Sequence, residues 1–131
     1  MDDIIPSKDQ RKINSLRIGS QLYTEKNWKA IIEGISALDQ KIASIVEQIP
    51  YGSVYPREGL DLQKREIAAI SVLTQLGLKS QLKSHIIAAL NVEVTKDEIL
   101  ELFLHLAMFL GFPIVLDGLR IAHEVFEQKG I

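Results

Sequence analysis

The sequence of 131 residues contains no cysteine, and this absence removes three kinds of chemistry. Disulfides, thiolate metal sites and thiol redox reactions all require a cysteine sulfur. The chain also lacks an excess of one charge, because 15 basic and 17 acidic residues give a net charge of −2. A near-neutral chain gives no electrostatic reason to expect nucleic acid or an anionic membrane surface as a partner.

Long apolar runs are also missing. The most apolar window, 99–116, contains Glu101, His105 and Pro113, whereas a membrane-spanning helix needs about 20 apolar residues. The N-terminal stretch MDDIIPSKDQRK has no apolar core of signal-peptide length. We therefore expect a cytoplasmic protein with no membrane partner.

Apolar residues recur every three or four positions along most of the chain, which is the spacing of helices that bury one face. The length indicates one domain, 1–131. The sequence predicts an all-α fold, a compact bundle of about six helices. These helices are predicted from Ser7 to about Tyr23, Trp28 to Gln48, Asp61 to about Gly77, Ser80 to Leu90, Thr95 to Leu110 and Pro113 to about Lys129.

Several residues mark the predicted helix boundaries. Gly34 is expected to be a weak point in the second helix, and Pro50 is expected to end it. A loop is predicted to follow over 51–59. Thr95 and Glu98 match the T-x-x-E capping box, which predicts the start of the fifth helix.

Glu66 interrupts the apolar face of the third predicted helix, which it shares with Leu62 and Ile70. A charged, unpaired carboxylate in that position would cost several kcal/mol, so such a residue is paired, protonated or catalytic. The structural alternative is a buried salt bridge to Arg57 or Arg65. On this pattern alone both interpretations stay open.

His85 interrupts the apolar face of the fourth predicted helix, beside Leu82 and Ala89. A single histidine on an apolar face is most often a satisfied core residue. Consecutive antiparallel helices, however, bring Glu66 and His85 within reach of each other. A carboxylate paired with an imidazole is the pattern of general acid/base catalysis.

The fifth predicted helix is apolar around most of its circumference, apart from a stripe formed by Glu98, Glu101 and His105. A helix of this kind is buried, in the core or between subunits. This stripe either faces a pocket, or Glu98 serves the cap while Glu101 and His105 form an i,i+4 pair. The spacing E-x-x-x-H differs from the E-x-x-H of di-iron bundles, so no metal is expected. His123, near other charged residues, is interpreted as part of a solvated face.

Five segments carry a family resemblance in a fixed order. They are YGSVYPREGL (51–60), the pair Arg65–Glu66, SHIIAAL (84–90), TKDEILE (95–101) and HLAMFLGFP (105–113). Together they resemble the carboxymuconolactone decarboxylase family, part of the alkylhydroperoxidase-like superfamily of small all-α proteins.

The redox branch of that superfamily has a glutamate, a C-x-x-C motif and a histidine four residues after the second cysteine. By this spacing, the two cysteine positions correspond to Leu78 and Gln81 here. The glutamate and histidine remain as Glu66 and His85, without thiols. The resemblance therefore implies a cysteine-less branch and excludes a cysteine-dependent peroxidase.

For the decarboxylase branch, the resemblance implies a cofactor-free reaction that releases carbon dioxide from a 4-carboxymuconolactone-type acid. Arg57 would hold the substrate carboxylates, and His85 would carry the proton. Glu66 would orient His85 or share its proton. Tyr55, where this branch commonly has a tryptophan, is a further substrate-binding candidate. Glu101 and His105 are candidate second contributors.

The resemblance also implies a homo-oligomer, a hexamer or a trimer, and a small carboxylic acid or lactone as substrate. The alternative is a non-catalytic assembly or small-molecule-binding module of the same fold. In that case Glu66 and His85 would be a structural pair.

Overall fold

The computed structural model describes residues 4–131, and this part of the chain divides into two compact units between Asp61 and Leu62. The described residues form helices and no strand, which confirms the all-α prediction. None of these helices is long and apolar enough to span a bilayer. The single domain expected over 1–131 stays a prediction.

The first unit contains three α-helices and a π-helix. Its elements are α1 (Lys8–Tyr23), α2 (Glu25–Leu38), α3 (Gln40–Val46) and the π-helix (Glu47–Val54). Helix α1 packs against α2 and against the π-helix. Trp28 of α2 is buried at this centre, where a Cβ on Gly19 would overlap its ring. Only a glycine lets α1 approach the indole so closely.

The prediction of one helix from Trp28 to Gln48 with a weak point at Gly34 is wrong. The break falls at Asp39, whose backbone is extended at φ −163° and ψ 124°. Its carboxylate accepts hydrogen bonds from the backbone N–H groups of Lys41 and Ile42, at 2.8 and 2.9 Å. Asp39 therefore caps α3, and an N-cap has more effect on the break than the flexibility of one glycine.

Pro50 was predicted to end the second helix and to begin a loop, and this prediction is also wrong. Pro50 lies inside the π-helix, which continues through the first four residues of the expected loop. In an α-helix, a proline ring clashes with the carbonyl four residues earlier. Here the backbone stays helical by pairing five residues apart, as shown by the 2.8 Å bond from the Tyr55 N–H to the Pro50 carbonyl.

The second unit contains four α-helices that surround one apolar core. They are α4 (Leu62–Leu76), α5 (Lys79–Asn91), α6 (Lys96–Leu110) and α7 (Phe112–Lys129). Helix α7 packs against α4, α5 and α6. The fully buried members of the core are Ile70, Ile86, Ala89, Ile99, Ala122 and Val125. With seven α-helices and the π-helix, the described chain has more elements than the six helices expected.

The helix ends of the second unit agree with the sequence. Thr95 Oγ1 accepts from the Glu98 N–H at 3.0 Å, and the Glu98 carboxylate accepts from the Thr95 N–H at 3.1 Å, which confirms the capping box. Gly111, at φ 84°, separates α6 from α7. A positive φ at this position favours glycine and allows an abrupt change of helix direction.

Candidate active site

Glu66 lies in the first half of α4, on the face that packs into the core of the second unit. It has no solvent exposure, and neither has Ile70 one turn further along the same face. The sequence predicts this burial because Glu66 interrupts an apolar stripe. A carboxyl group so placed requires a hydrogen-bond partner.

His85 provides that partner from α5. Gly77 and Leu78 connect α4 to α5, and Gly77 adopts φ 67°, so α5 runs back along α4. The distance from His85 Nδ1 to Glu66 Oε2 is 2.7 Å, and the His85 side chain is only 13% exposed. The structure therefore brings together the two residues that interrupt the apolar faces of α4 and α5.

The two ring nitrogens of His85 have different surroundings. Nδ1 of His85 is engaged by the carboxyl group, while Nε2 has no hydrogen-bond partner among the described residues. When Glu66 is ionised, it accepts a hydrogen bond from Nδ1–H, and in the neutral ring the opposite nitrogen, Nε2, then has a lone pair. Such a ring can accept or deliver a proton at Nε2, as a general acid or base does.

Tyr55 and Arg57 belong to the first unit, directly after the π-helix. Tyr55 is half-buried, and its ring stacks on Tyr51 with centroids 5.0 Å apart and planes at 14°. Tyr51 in turn contacts Trp28, at 4.5 Å between centroids. Arg57 is exposed, and its backbone N–H donates to the Val54 carbonyl at 3.1 Å. Their part in a shared site with His85 stays a prediction.

Glu101 and His105 lie on the exposed side of α6. The His105 ring rests against Phe109, with centroids 5.2 Å apart and planes at 54°. No salt bridge joins Glu101 to His105 within the described chain, although their spacing allows one. Glu98 serves the cap, as the structural interpretation of the stripe had it. The role of Glu101 and His105 in binding also stays a prediction.

Helix α6 is apolar around most of its circumference, but only one side of it is buried in the single chain. Ile99, Phe103 and Leu106 are buried. An apolar row of Leu100, Leu104 and Met108, hereafter the α6 apolar face, is exposed; Leu104 is 62% and Met108 73% accessible. Exposed apolar rows of this kind mark interaction surfaces.

One cavity was not anticipated from the sequence. A groove of about 560 Å³ runs between α6 and α7, with an apolar floor that includes Leu116 and Phe126 and a rim that includes Lys96 and His123. The sequence suggested only a solvated face around His123, because a groove between two helices has no linear motif. Within residues 4–131 no group of three or more acidic and histidine side chains is arranged to bind a metal.

Fold and site together define the class of this protein. It is an all-α chain with a buried glutamate–histidine pair on two consecutive helices. The carboxymuconolactone decarboxylase family model matches residues 40–124, which include this pair. The chain belongs to the carboxymuconolactone decarboxylase family, with its alkylhydroperoxidase-like all-α fold.

Two relatives support this assignment. The chain is 32% identical over 123 residues to a 4-carboxymuconolactone decarboxylase of Acinetobacter baylyi, an alignment that covers 94% of this chain and 92% of the relative. It is 33% identical over 81 residues to an uncharacterized 15.0 kDa protein of Paracoccus denitrificans, encoded in the nqo9–nqo10 intergenic region, covering 60% of each.

Proposed function

We propose that this protein is a cofactor-free decarboxylase that acts on a small carboxylated lactone or a related acid, in the cytoplasm. The observation that carries the proposal is the buried 2.7 Å contact between His85 Nδ1 and Glu66 Oε2. Similarity to a 4-carboxymuconolactone decarboxylase along nearly the whole chain supports the choice of substrate class.

In this proposal His85 moves the proton and Glu66 fixes the ring. The substrate carboxylate leaves as carbon dioxide, and the electron pair of the broken carbon–carbon bond stays on the lactone. His85, whose Nε2 first takes a proton from water, then delivers that proton to carbon and returns to the neutral ring, so that the product is an enol-lactone. An ionised Glu66 holds Nδ1–H and stabilises the imidazolium before this transfer.

The proposal assigns substrate binding to Arg57 and Tyr55. A guanidinium group forms paired hydrogen bonds with a carboxylate, which suits a substrate that keeps one carboxylate while it loses another. Arg57 is exposed and charged, and Tyr55 presents a half-buried aromatic ring two residues earlier. Together they would orient the lactone and exclude water from one of its faces.

We also propose that the chain assembles through the α6 apolar face into a trimer or hexamer. Leu104 and Met108 are more exposed than expected for apolar side chains of a monomer, and Phe109 and Phe112 are exposed as well. Glu101 and His105 stand beside this face. In the assembly they would approach a neighbouring site as second contributors to substrate binding.

The rival proposal is a non-catalytic assembly or binding module. A fully buried glutamate paired with a histidine is also what a purely structural pair looks like. Under this rival, Glu66→Gln lowers the melting temperature and causes no defect in ligand binding. Under the decarboxylase proposal, the same variant loses activity by more than its loss of stability explains.

A thermal-shift experiment with 4-carboxymuconolactone and a series of small dicarboxylic acids tests the proposal. A ligand at 100 times its Kd stabilises the folded protein by about 2.7 kcal/mol, which raises the melting temperature measurably. We expect the shift for the wild type and for His123→Ala, whose histidine is exposed, and not for His85→Ala. No shift with any acid for the wild type, together with lower stability of His85→Ala alone, would favour the structural module.

A further inference from the structure

The π-helix of the first unit directly precedes the two residues proposed to bind the substrate. It spans Glu47–Val54, and Tyr55 and Arg57 follow it. Most π-helices are single turns inserted in α-helices, and they occur frequently at functional sites. This one is eight residues long and contains a proline. Such a segment persists only when neighbouring structure holds it in place.

Asn14 of α1 provides one such contact. Its Nδ2 donates to the carbonyl of Gly52 at 3.1 Å, inside the π-helix. Gln10 Nε2 donates to Asn14 Oδ1 at 2.9 Å, which fixes the orientation of the amide. Asn14 is 8% exposed, so this hydrogen bond is shielded from water. A buried carbonyl left without this donor would be costly.

Arg11, also on α1, holds the start of the π-helix. Its Nε and Nη2 both donate to Gln48 Oε1, at 3.2 and 2.9 Å, and its Nη1 donates to the Pro6 carbonyl at 2.6 Å. Ser53 Oγ donates to the Gln48 carbonyl at 2.8 Å, which links the end of the π-helix to its start. Hydrogen bonds therefore join the π-helix to α1 and connect its two ends to each other.

Helix α1 and the π-helix approach each other closely at Gly52. A Cβ at this position would lie 2.8 Å from the Arg11 carbonyl oxygen and 3.1 Å from the Glu47 carbonyl oxygen. Backbone oxygens cannot move aside as a flexible side chain does. Any larger residue would therefore separate α1 from the π-helix and weaken the Asn14 hydrogen bond.

The register of the π-helix determines where the aromatic rings lie. Tyr51 is within it, Tyr55 follows it, and their rings stack at 5.0 Å while Tyr51 also contacts Trp28. Relative to an α-helix, a π-turn includes one additional residue per turn. A return to α-helical pairing would rotate the residues that follow by about 100° around the helix axis.

We infer that Asn14, Arg11 and Gly52 are positioning residues: they hold the π-helix in the register that orients Tyr55 and Arg57 toward the substrate. This inference rests on the proposed function, because it takes Tyr55 and Arg57 as the substrate-binding residues. It adds three residues outside the Glu66–His85 pair, none of which contacts the substrate. Their effect on the reaction is through backbone geometry.

Gly52→Ala tests the inference, with Gly34→Ala as the matched control. Gly34 is in helix α2, and a Cβ there would meet nothing within 4 Å. With 4-carboxymuconolactone as substrate, we expect Gly52→Ala to raise KM by about tenfold and to change kcat less than about threefold. The control is expected to leave both constants unchanged. Asn14→Ala gives a second, milder variant if Gly52→Ala does not fold.

Trp28 provides a readout that is independent of turnover. It is the sole tryptophan of the chain and touches Tyr51, so its emission reports on the aromatic stack. We expect changed Trp28 emission in Gly52→Ala or Asn14→Ala, with helical circular dichroism retained. A folded variant with altered emission and an unchanged KM, or with a raised KM and unaltered emission, overturns the inference. If the wild type neither binds nor converts the lactone, the proposed function itself fails, and the inference fails with it.

Discussion

Glu66 has a carboxyl group with no solvent exposure, and its contact with His85 compensates for the loss of hydration. Removing one member of a buried pair leaves the other without its partner, which costs more than the pair contributes in total. The chain also contains an exposed pair of the same types, His123 with Glu127 at 3.3 Å. The two pairs differ in burial, so they can be compared directly.

Glu66→Ala is therefore expected to lower the free energy of unfolding by about 3 kcal/mol. Glu127→Ala, its exposed counterpart, should change it by less than about 0.5 kcal/mol. Urea unfolding of these variants, of His85→Ala and of the double variant Glu66→Ala/His85→Ala gives the coupling. We expect a coupling of about 1–2 kcal/mol for the buried pair; additive effects at these two sites would show that the contact contributes nothing.

At the scale of single residues, the sequence was sufficient to identify the two members of the buried pair. It did not predict the geometry of their contact. The helical period showed that Glu66 and His85 interrupt apolar faces, and the structure places them in contact. The period could not show which ring nitrogen faces the carboxylate. It also could not place Tyr55 against Tyr51, because that stack depends on a π-helix that no apolar pattern predicts.

Among the helices, the close contact of α7 with α4 and α6 depends on one glycine. A Cβ on Gly118 would lie 2.8 Å from Phe103 Cε1 and 3.0 Å from Thr74 Cγ2. Gly118→Ala should therefore destabilise the protein by about 1–3 kcal/mol through overpacking. Gly34→Ala, with open space around it and a better helix former in place, should be neutral or stabilising by up to about 1 kcal/mol. Equal melting temperatures for these two variants would contradict this packing.

Some helix boundaries were predictable from a local capping motif, and others were not. The capping box of Thr95 and Glu98 is local in sequence and was predicted correctly. Asp39 caps α3 through an equally local contact, but the apolar residues on both sides of it share one period and suggested a continuous helix. Pro50 shows a different limit, because tertiary contacts from α1 support a π-helix where a proline normally ends a helix.

For the whole molecule, family and fold class were both accessible from the sequence, because the matching segments are numerous and occur in order. The surface proposed for assembly was less accessible from the sequence. The apolar character of α6 indicated burial in a core or between subunits, and only the structure separates the side that is buried from the α6 apolar face that is exposed.

Assembly through the α6 apolar face predicts that Leu104→Glu/Met108→Glu dissociates the oligomer. Both side chains are largely exposed in the single chain, so the variant should fold with unchanged helical content while two charges at the interface prevent association. Light scattering after size-exclusion chromatography measures the mass. Gln128→Glu, at an exposed polar position of α7, is the control for added negative charge. An unchanged mass for the double variant would exclude this face as the interface.

Decarboxylation itself, measured as carbon dioxide released from 4-carboxymuconolactone, tests the central claim most directly. Wild type, His85→Gln and His123→Gln form a matched series, because both substitutions remove an imidazole and only one of these rings contacts a buried carboxylate. We predict turnover by the wild type, a loss of at least about 100-fold in kcat/KM for His85→Gln, and a change below about twofold for His123→Gln. Equal turnover by wild type and His85→Gln would contradict the assignment of the proton to His85.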